Sequence, residues 1–293
     1  MSPKQITILT FLFILISCNS PSSEMDIQGH RGCRGHFPEN SIEGFFAALQ
    51  MGATTLELDV VISQDGQVVI SHEPWINPNI CLSPDGDSLK ADDRFNIYRM
   101  PYQEIRRYDC GSLTPGRYLK QKSMATYKPL LSELMDSLIV YANNRGIHLI
   151  PINVETKSRP EWDNQFHPVP EEFVQLILEL ARSKHYLTAM TIQSFDIRTL
   201  VETRKQESTL PIALLVNESE NIGNKISELG FYPDIISSHH RLLTKELVEH
   251  YKAKGIKLIP WTVNSEEDIK KMFAFRVDGI ISDYPDRVAK LVQ

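Results

Sequence analysis

Short apolar runs alternate with amphipathic, helix-like segments along nearly the whole chain, and this alternation limits the possible folds more than any other feature. Eight such runs lie at residues 28–29, 56–60, 148–154, 190–193, 212–216, 235–238, 258–263 and 279–282. Strands that alternate with helices form parallel sheets with crossover helices. The sequence therefore predicts an α/β fold, a TIM (β/α)8 barrel, in which functional residues lie at the C-terminal ends of the strands.

The second run carries two carboxylates on one face. Glu57 and Asp59 alternate with apolar residues, and side chains two positions apart on a strand point the same way. Two such carboxylates can offer oxygen ligands to a hard divalent cation. A solvated strand face is the alternative. Inside a barrel, however, charge is costly unless it is paired or bound to a metal, which favours a metal site.

Two histidines bracket this acidic strand. Asp65 and Gly66 separate two β-branched runs, which predicts a hairpin, so His72 ends a strand that folds straight back on the acidic strand. His30 ends the preceding run, and Arg31 follows it. Imidazoles exchange protons near neutral pH, and a guanidinium can bind two phosphate oxygens. A lone histidine is usually structural, but this placement of two favours a catalytic role.

These motifs, in this order, resemble those of the glycerophosphodiester phosphodiesterases. The matching pieces are His30-Arg31-Gly32, Pro38-Glu39-Asn40-Ser41, Glu57-Leu58-Asp59-Val60, Asp65-Gly66, Val69-Ile70-Ser71-His72, Val154-Glu155-Thr156-Lys157, Gln193-Ser194-Phe195, Trp261-Thr262-Val263-Asn264 and Gly279-Ile280-Ile281-Ser282-Asp283-Tyr284-Pro285. The sequence departs from the commonest pattern at Ser41, where Thr is usual, and at Glu73, where Asp often follows the histidine. Because of that departure, no role is assigned to Glu73.

The resemblance implies an enzyme and completes its site. It implies metal-dependent hydrolysis of glycerophosphodiesters to glycerol 3-phosphate and an alcohol. Glu155 matches a third carboxylate ligand, so one divalent cation, Ca²⁺ or Mg²⁺, is expected on Glu57, Asp59 and Glu155. Lys157 matches a basic residue near the phosphate. Trp261 is expected either against the alkyl or glycerol part of a substrate or in the barrel core.

Other functions stay open on the sequence alone. A related barrel enzyme could cleave lipid phosphodiesters, as a phosphatidylinositol phospholipase C or a lysophospholipase D does. A lipoprotein that binds phosphodiesters without turnover is the third possibility. The net charge of −6 argues against nucleic acid as a partner.

The N-terminal segment has the features of an export signal. Lys4 precedes an apolar run at 6–16 that is too short to span a membrane. Residues 15–18, LISC, resemble a bacterial lipobox, which predicts cleavage after residue 17 and a lipid on Cys18. An ordinary secretory signal with an incidental Cys18 is the alternative. The lipobox predicts that the protein is lipid-anchored at the bacterial cell envelope, where it is periplasmic or associated with the outer membrane.

We accordingly expect a signal peptide at 1–17, a tether at 18–25 and a catalytic domain at 26–293. The resemblance places an insertion at about 77–127, after the second barrel strand. Its aromatic residues are expected either to wall the cleft or to form a small core of their own. With Cys18 lipidated, three cysteines remain and at most one intrachain bridge can form. Cys81 and Cys110 share the insertion and are the preferred pair.

Overall fold

The structure is a computed structural model that describes residues 25–292, so the predicted signal peptide and Cys18 lie outside the described residues. The strands are β1 (Asp26–Gly29), β2 (Thr55–Ile62), β3 (Val68–Ile70), β4 (Ile152–Thr156), β5 (Met190–Ser194), β6 (Ile212–Val216), β7 (Ile235–Ser238), β8 (Lys257–Leu258) and β9 (Gly279–Ser282). The helices are α1 (Ile42–Gln50), α2 (Tyr102–Ile105), α3 (Leu131–Arg145), α4 (Pro170–Ser183), α5 (Ile197–Gln206), α6 (Ile222–Leu229), α7 (Lys245–Lys252), α8 (Glu266–Phe275) and α9 (Pro285–Val292). Within 25–292, none of the helices has the length and apolar composition that a membrane-spanning helix needs.

Eight parallel strands curve into a nearly closed barrel, in the order β8-β7-β6-β5-β4-β2-β1-β9. Backbone hydrogen bonds link the end of β8 and the chain after it to β9 and the residue before it. The N–H of Asp278 donates to the carbonyl of Leu258 at 2.9 Å, and the N–H of Val263 donates to that of Ile281 at 3.0 Å. Helices alternate with the strands and cover the outside. The predicted TIM barrel is confirmed.

Two prolines account for the largest differences between the predicted and the observed strands. The run at 148–154 becomes β4 only from Ile152, directly after Pro151, because proline cannot donate a hydrogen bond to a sheet. β8 ends at Leu258, two residues before Pro260. The prediction placed the strands correctly and missed these ends.

Two of the crossover helices, α1 and α7, begin at side-chain caps that the sequence indicates. The Ser41 hydroxyl accepts a hydrogen bond from the N–H of Gly44 at 3.0 Å, and that of Thr244 accepts one from the N–H of Leu247 at 3.2 Å. The apolar faces of these helices pack on the outer face of the barrel. Phe45 of α1, for example, is completely buried in this core, and burying a side chain of that size contributes about 1.5–3 kcal/mol.

A hairpin strand and an insertion follow the second strand, β2, in the chain and pack against it. β3 pairs antiparallel with β2, with Val69 opposite Val61. The insertion that follows builds a small core on these two residues, and a disulfide bond between Cys81 and Cys110 lies in it. We call this the insertion core. Its other buried residues are Ile76, Ile80, Ile97, Tyr102, Ile105 and Tyr108. Cys33 is a buried free cysteine outside it.

Candidate active site

A cleft of about 720 Å³ opens at the C-terminal ends of the parallel strands. It brings together side chains that are up to 251 positions apart, from residue 30 to residue 281. Asp59 lies below its surface and is 1% exposed. All the other predicted site residues line it, namely His30, Arg31, Glu57, His72, Glu155, Lys157 and Trp261.

The register of β2 and β4 assembles the carboxylates. Glu57 and Asp59 share one face of β2, and Asp59 pairs directly with Glu155 on β4. One oxygen from each of the three lies within 4.8 Å of the others, and all three residues are buried. The alternative of a solvated strand face is therefore wrong for this strand.

The electrostatics of this trio suit a bound cation. Burial, followed by repulsion from Asp59 and Glu155, raises the pKa of Glu57 well above its usual range. Oδ1 of Asp59 is buried and has no hydrogen-bond partner among residues 25–292. Hard oxygen donors, mutual repulsion and an unpartnered oxygen are what a divalent ion such as Ca²⁺ or Mg²⁺ would satisfy. The three residues could hold such an ion.

Lys157 faces the same carboxylates. Its Nζ lies 2.6 Å from Oε1 of Glu155 and 3.5 Å from Oδ1 of Asp59. Burial alone would lower the pKa of Lys157, but the two carboxylates outweigh burial and raise it. The ammonium group is therefore charged at the cleft surface, where a phosphate oxygen can reach it.

Arg31 occupies a tight turn after β1. Its backbone is left-handed, with φ 49°, and this conformation lets its N–H donate to Oε2 of Glu57 at 2.9 Å. The guanidinium donates to Oε1 of Glu39 at 2.9 Å, and its Nε lies 3.2 Å from Oδ2 of Asp59. Gly32 follows at φ 82°, where an added Cβ would lie 2.8 Å from the backbone of α1. Arg31 thus lines the cleft while two carboxylates hold its side chain.

His30 is held by a residue that sequence reasoning missed. Its Nδ1 lies 2.7 Å from Oδ1 of Asp283, directly after β9, and Nε of Arg34 donates to the same oxygen at 2.6 Å. Burial would raise the pKa of Asp283, but His30 and Arg34 outweigh it and hold that pKa well below its usual range. The ionised carboxylate therefore accepts the Nδ1–H. Burial, aided by Arg34, lowers the pKa of His30 to about 4.

His72 is held by its neighbour. Its Nδ1 lies 2.8 Å from Oε1 of Glu73. Burial would raise the pKa of Glu73, but the hydrogen bond and charge of His72 outweigh it and lower the pKa to about 2. Lys128, whose pKa burial lowers, donates from the same buried region to Oγ of Ser71 at 2.9 Å. Glu73, which received no role from the sequence, is an ionised partner of His72.

Amide side chains orient two of the carboxylates. Nδ2 of Asn40 donates to Oδ2 of Asp59 at 2.9 Å, and Nε2 of Gln193 donates to Oε1 of Glu57 at 2.6 Å. Both residues lie in motifs that resemble those of the family, and this was the one indication in the sequence that they belong to the site. Their partners depend on which strands are neighbours, so the sequence alone did not identify these contacts.

Trp261 lies between the cleft and an apolar cluster of the barrel. One side of its ring lines the cleft, and the rest packs on the apolar half of the barrel interior beside Ile281. Its Nε1 donates to the carbonyl of Ser237 at 2.9 Å, which fixes the ring. Trp75 and Trp162 also line the cleft, with ring centroids 6.0 Å apart.

The insertion aromatics do not form a wall of this cleft. All six are among the described residues, and the cleft lining includes none of them. They are Phe95, Tyr98, Tyr102, Tyr108, Tyr118 and Tyr127. Tyr102 and Tyr108 belong to the insertion core, so the second expectation for these aromatics holds for those two.

The barrel and its cleft define a class, the (β/α)8 enzymes whose carboxylates, histidines and basic side chains meet at the C-terminal ends of the strands. Comparison with known proteins identifies the family within this class. The sequence model of the glycerophosphoryl diester phosphodiesterase family matches residues 30–287. The chain therefore belongs to that family of phosphodiester-hydrolysing enzymes.

Individual relatives agree with this assignment. A glycerophosphodiester phosphodiesterase of Caldanaerobacter subterraneus subsp. tengcongensis is 27% identical over 90% of this chain and 96% of its own length. A lysophospholipase D of Rattus norvegicus is 25% identical over 90% of this chain and 84% of its own. A protein structure of the same class from Silicibacter pomeroyi DSS-3 has a TM-score of 0.82 and 29% identity, covering 92% of this chain and 94% of the other.

Proposed function

We propose that the protein hydrolyses glycerophosphodiesters to glycerol 3-phosphate and an alcohol with one divalent cation, Ca²⁺ or Mg²⁺. One observation carries the proposal. The oxygens of Glu57, Asp59 and Glu155 lie within 4.8 Å of one another at a cleft that His30 and His72 also line. An Oleispira antarctica phosphodiesterase with this fold, TM-score 0.72 and 22% identity over 91% of this chain and 96% of its own, was solved with the product sn-glycerol 3-phosphate. That complex supports the proposed product.

The charged residues divide the work on the phosphate. A divalent cation bound by the three carboxylates would polarise a phosphate oxygen and offset negative charge in the transition state. Lys157 and Arg31 supply further positive charge at the cleft surface and would bind and orient the remaining phosphate oxygens. Trp261 offers its ring to the alkyl or glycerol part of the substrate.

The hydrogen bonds of the two histidines suggest their roles. The lowered pKa of His30 leaves its imidazole neutral at pH 7, and the bond from Nδ1 to Asp283 leaves Nε2 free to take a proton. His30 would be the general base toward the attacking hydroxyl, from water or the adjacent glycerol. Nδ1 of His72 lies 2.8 Å from Oε1 of the ionised Glu73, which orients the imidazole, and His72 lines the cleft. His72 would give its proton to the leaving alkoxide.

The test is release of glycerol 3-phosphate from a panel of glycerophosphodiesters after EDTA treatment, and again with Ca²⁺ or Mg²⁺ restored. We expect release only with added metal. Glu57→Gln should abolish it, whereas Glu161→Gln, which removes a carboxylate that is 63% exposed outside the cleft lining, should not. Folded protein that releases no product with either metal would contradict the proposal.

A lysophospholipase D activity is the second candidate. Two observations favour it, namely the rat relative with that activity and the apolar faces of Trp75 and Trp162 at the cleft, on which an acyl chain could pack. Comparing turnover of lysophospholipids with that of their deacylated counterparts separates the two. A preference for the acylated substrate would favour the lipid activity.

We also propose that a lipid on Cys18 anchors the protein to the bacterial cell envelope. The support is the LISC sequence at 15–18 and the short apolar run before it. Cys18→Ser should move the protein from the membrane fraction to the soluble fraction of cells that export it. Retention of the variant in the membrane fraction would count against the anchor.

A further inference from the structure

The insertion contacts Asp283, the carboxylate that is hydrogen-bonded to His30. Tyr118 is 6% exposed, and its hydroxyl donates to Oδ2 of Asp283 at 3.2 Å. Nδ2 of Asn264 donates to the same oxygen at 2.8 Å. The other oxygen of this carboxylate, Oδ1, already accepts hydrogen bonds from His30 and Arg34. Four donors therefore fix one carboxylate, and one of them comes from the insertion.

A second contact ties the same part of the insertion to the turn after His30. Nε2 of Gln121 donates to the carbonyls of Arg34 and Phe37, at 2.7 and 2.9 Å. The backbone N–H of Lys122 donates to the carbonyl of His36 at 2.7 Å. Residues 118–122 thus contact the site in two places. They hold the loop that carries Arg34, and they hold Asp283, whose carboxylate accepts hydrogen bonds from both Arg34 and His30.

Tyr118 differs from the other buried tyrosines of the insertion in its surroundings. Tyr102 and Tyr108 are part of the insertion core, whereas Tyr118 is outside it. The Tyr118 ring lies against two guanidiniums, with centroid distances of 5.4 Å to Arg34 and 5.0 Å to Arg117. Its environment is therefore that of the charged network around His30.

We propose that Tyr118 is a positioning residue that fixes the His30 imidazole through Asp283, and that the insertion serves catalysis in this way. The inference rests on the proposed role of His30 as general base. A carboxylate held at both oxygens cannot rotate about its side-chain torsion, so the imidazole that donates to it keeps one orientation. Hydrogen bonds to the group that orients a functional histidine change activity by about 10- to 100-fold, because small losses of alignment slow proton transfer strongly.

The test compares two substitutions that each remove one buried hydroxyl from the insertion. In the full-length protein, Tyr118→Phe should lower kcat by on the order of tenfold and leave KM nearly unchanged. Tyr102→Phe is the matched control, since its hydroxyl bonds to the Lys128 carbonyl and to Glu133, away from His30. It should lower the melting temperature without lowering kcat. Wild-type kcat in Tyr118→Phe, or an equal loss of kcat in both variants, would overturn the inference.

Two further variants separate positioning from loss of structure. In an Asp283→Asn background, adding Tyr118→Phe should cause no further loss of kcat, because both changes act on the same contact. Additive losses would show that Tyr118 acts by another route. Gln121→Leu removes the bonds to the loop without touching Asp283, and should also lower kcat at constant KM. It decides the matter if Tyr118→Phe does not fold, since wild-type kcat in Gln121→Leu then overturns the inference.

His30→Ala distinguishes failure of this inference from failure of the proposed function. If His30→Ala keeps wild-type turnover, the role proposed for His30 is wrong and the inference falls with it. If His30→Ala is inactive while Tyr118→Phe is fully active, the proposed function stands and only the inference fails.

Discussion

Replacing Glu73 by Gln should slow turnover by about 10- to 150-fold and leave metal binding intact. The carboxylate lies 2.8 Å from Nδ1 of His72, and the two side chains are 20% and 30% exposed, so water screens the pair only in part. A hydrogen bond that involves a charged group contributes about 1.5–3 kcal/mol. The fall in the pKa of Glu73 from 4.5 to about 2 corresponds to about 3 kcal/mol, and Lys128 and Arg31 contribute to it after His72, so the contact with His72 accounts for part of this energy. Because about 1.36 kcal/mol corresponds to a tenfold change in rate, a loss of about 1.5–3 kcal/mol gives the predicted fall in kcat of about 10- to 150-fold.

The assay is the rate of glycerol 3-phosphate release at saturating substrate and metal, with calorimetry of Ca²⁺ or Mg²⁺ binding beside it. Glu73→Asp is the matched control, because it keeps the charge and restores the residue that often follows this histidine in the family. It should lose only a few-fold in kcat. Glu73→Gln that turns over within about twofold of the wild type would refute the argument that an ionised residue 73 supports His72. Equal losses in both variants would assign the effect to packing.

Three other changes test the metal site, the insertion and the acid stability. Asp59→Asn should weaken Ca²⁺ or Mg²⁺ binding by at least about tenfold in a calorimetric titration, since it removes one charged ligand, and unchanged affinity would argue against the trio. Joint replacement of Cys81 and Cys110 by Ala should lower the free energy of unfolding by about 3.5 kcal/mol in denaturant, from closure of a loop of 29 residues, whereas no change would show that the bridge does not constrain the unfolded chain. Burial would raise the pKa of Asp196, but Arg198 outweighs it and lowers the pKa, so this carboxylate stabilises the fold above about pH 4 and loses that effect as the pH falls further. Asp196→Asn should therefore flatten the fall of stability below about pH 4, as measured by denaturant unfolding at several pH values, and an unchanged pH profile would contradict this.

The barrel could be predicted because each strand has its own local signal. A run such as the one that became β6 is apolar, short and bounded by polar segments, and all of its residues are buried. The Asp65-Gly66 turn separated β3 from the parallel set, since a tight hairpin joins only antiparallel strands. Strand ends were less certain, because the start of β4 depends on Pro151.

The site could be predicted where chemistry and strand period coincide. Glu57 and Asp59 are two apart on one strand, so their common direction follows from the sequence. Glu155 required the pairing of β4 with β2, which no local pattern gives and which the family resemblance supplied. Glu73 was next to a predicted catalytic histidine, yet its departure from the commonest residue concealed its contact.

Asp283 and Tyr118 could not be assigned from local patterns. Asp283 contacts His30 across 253 positions and Tyr118 across 165, and periodicity carries no information about contacts so distant. Asp283 did have a signal, because it directly follows the last predicted strand and lies in a family-like motif. Tyr118 had none beyond being one of six aromatic residues in the insertion.

Because Asp283 follows the last strand, the site can be completed only late in the synthesis of the chain. His30 leaves the ribosome early, but β1 pairs on one side with β9, and the carboxylate that orients His30 follows β9 directly. A nascent chain that has not yet reached β9 has the three carboxylates that could hold a metal and both histidines, but lacks Asp283, the carboxylate that contacts the first histidine. Any chain that stops before residue 279 would likewise leave the barrel open between its first and last strands. On the proposed mechanism, phosphodiester cleavage therefore requires the last strand, because that strand brings Asp283 to His30.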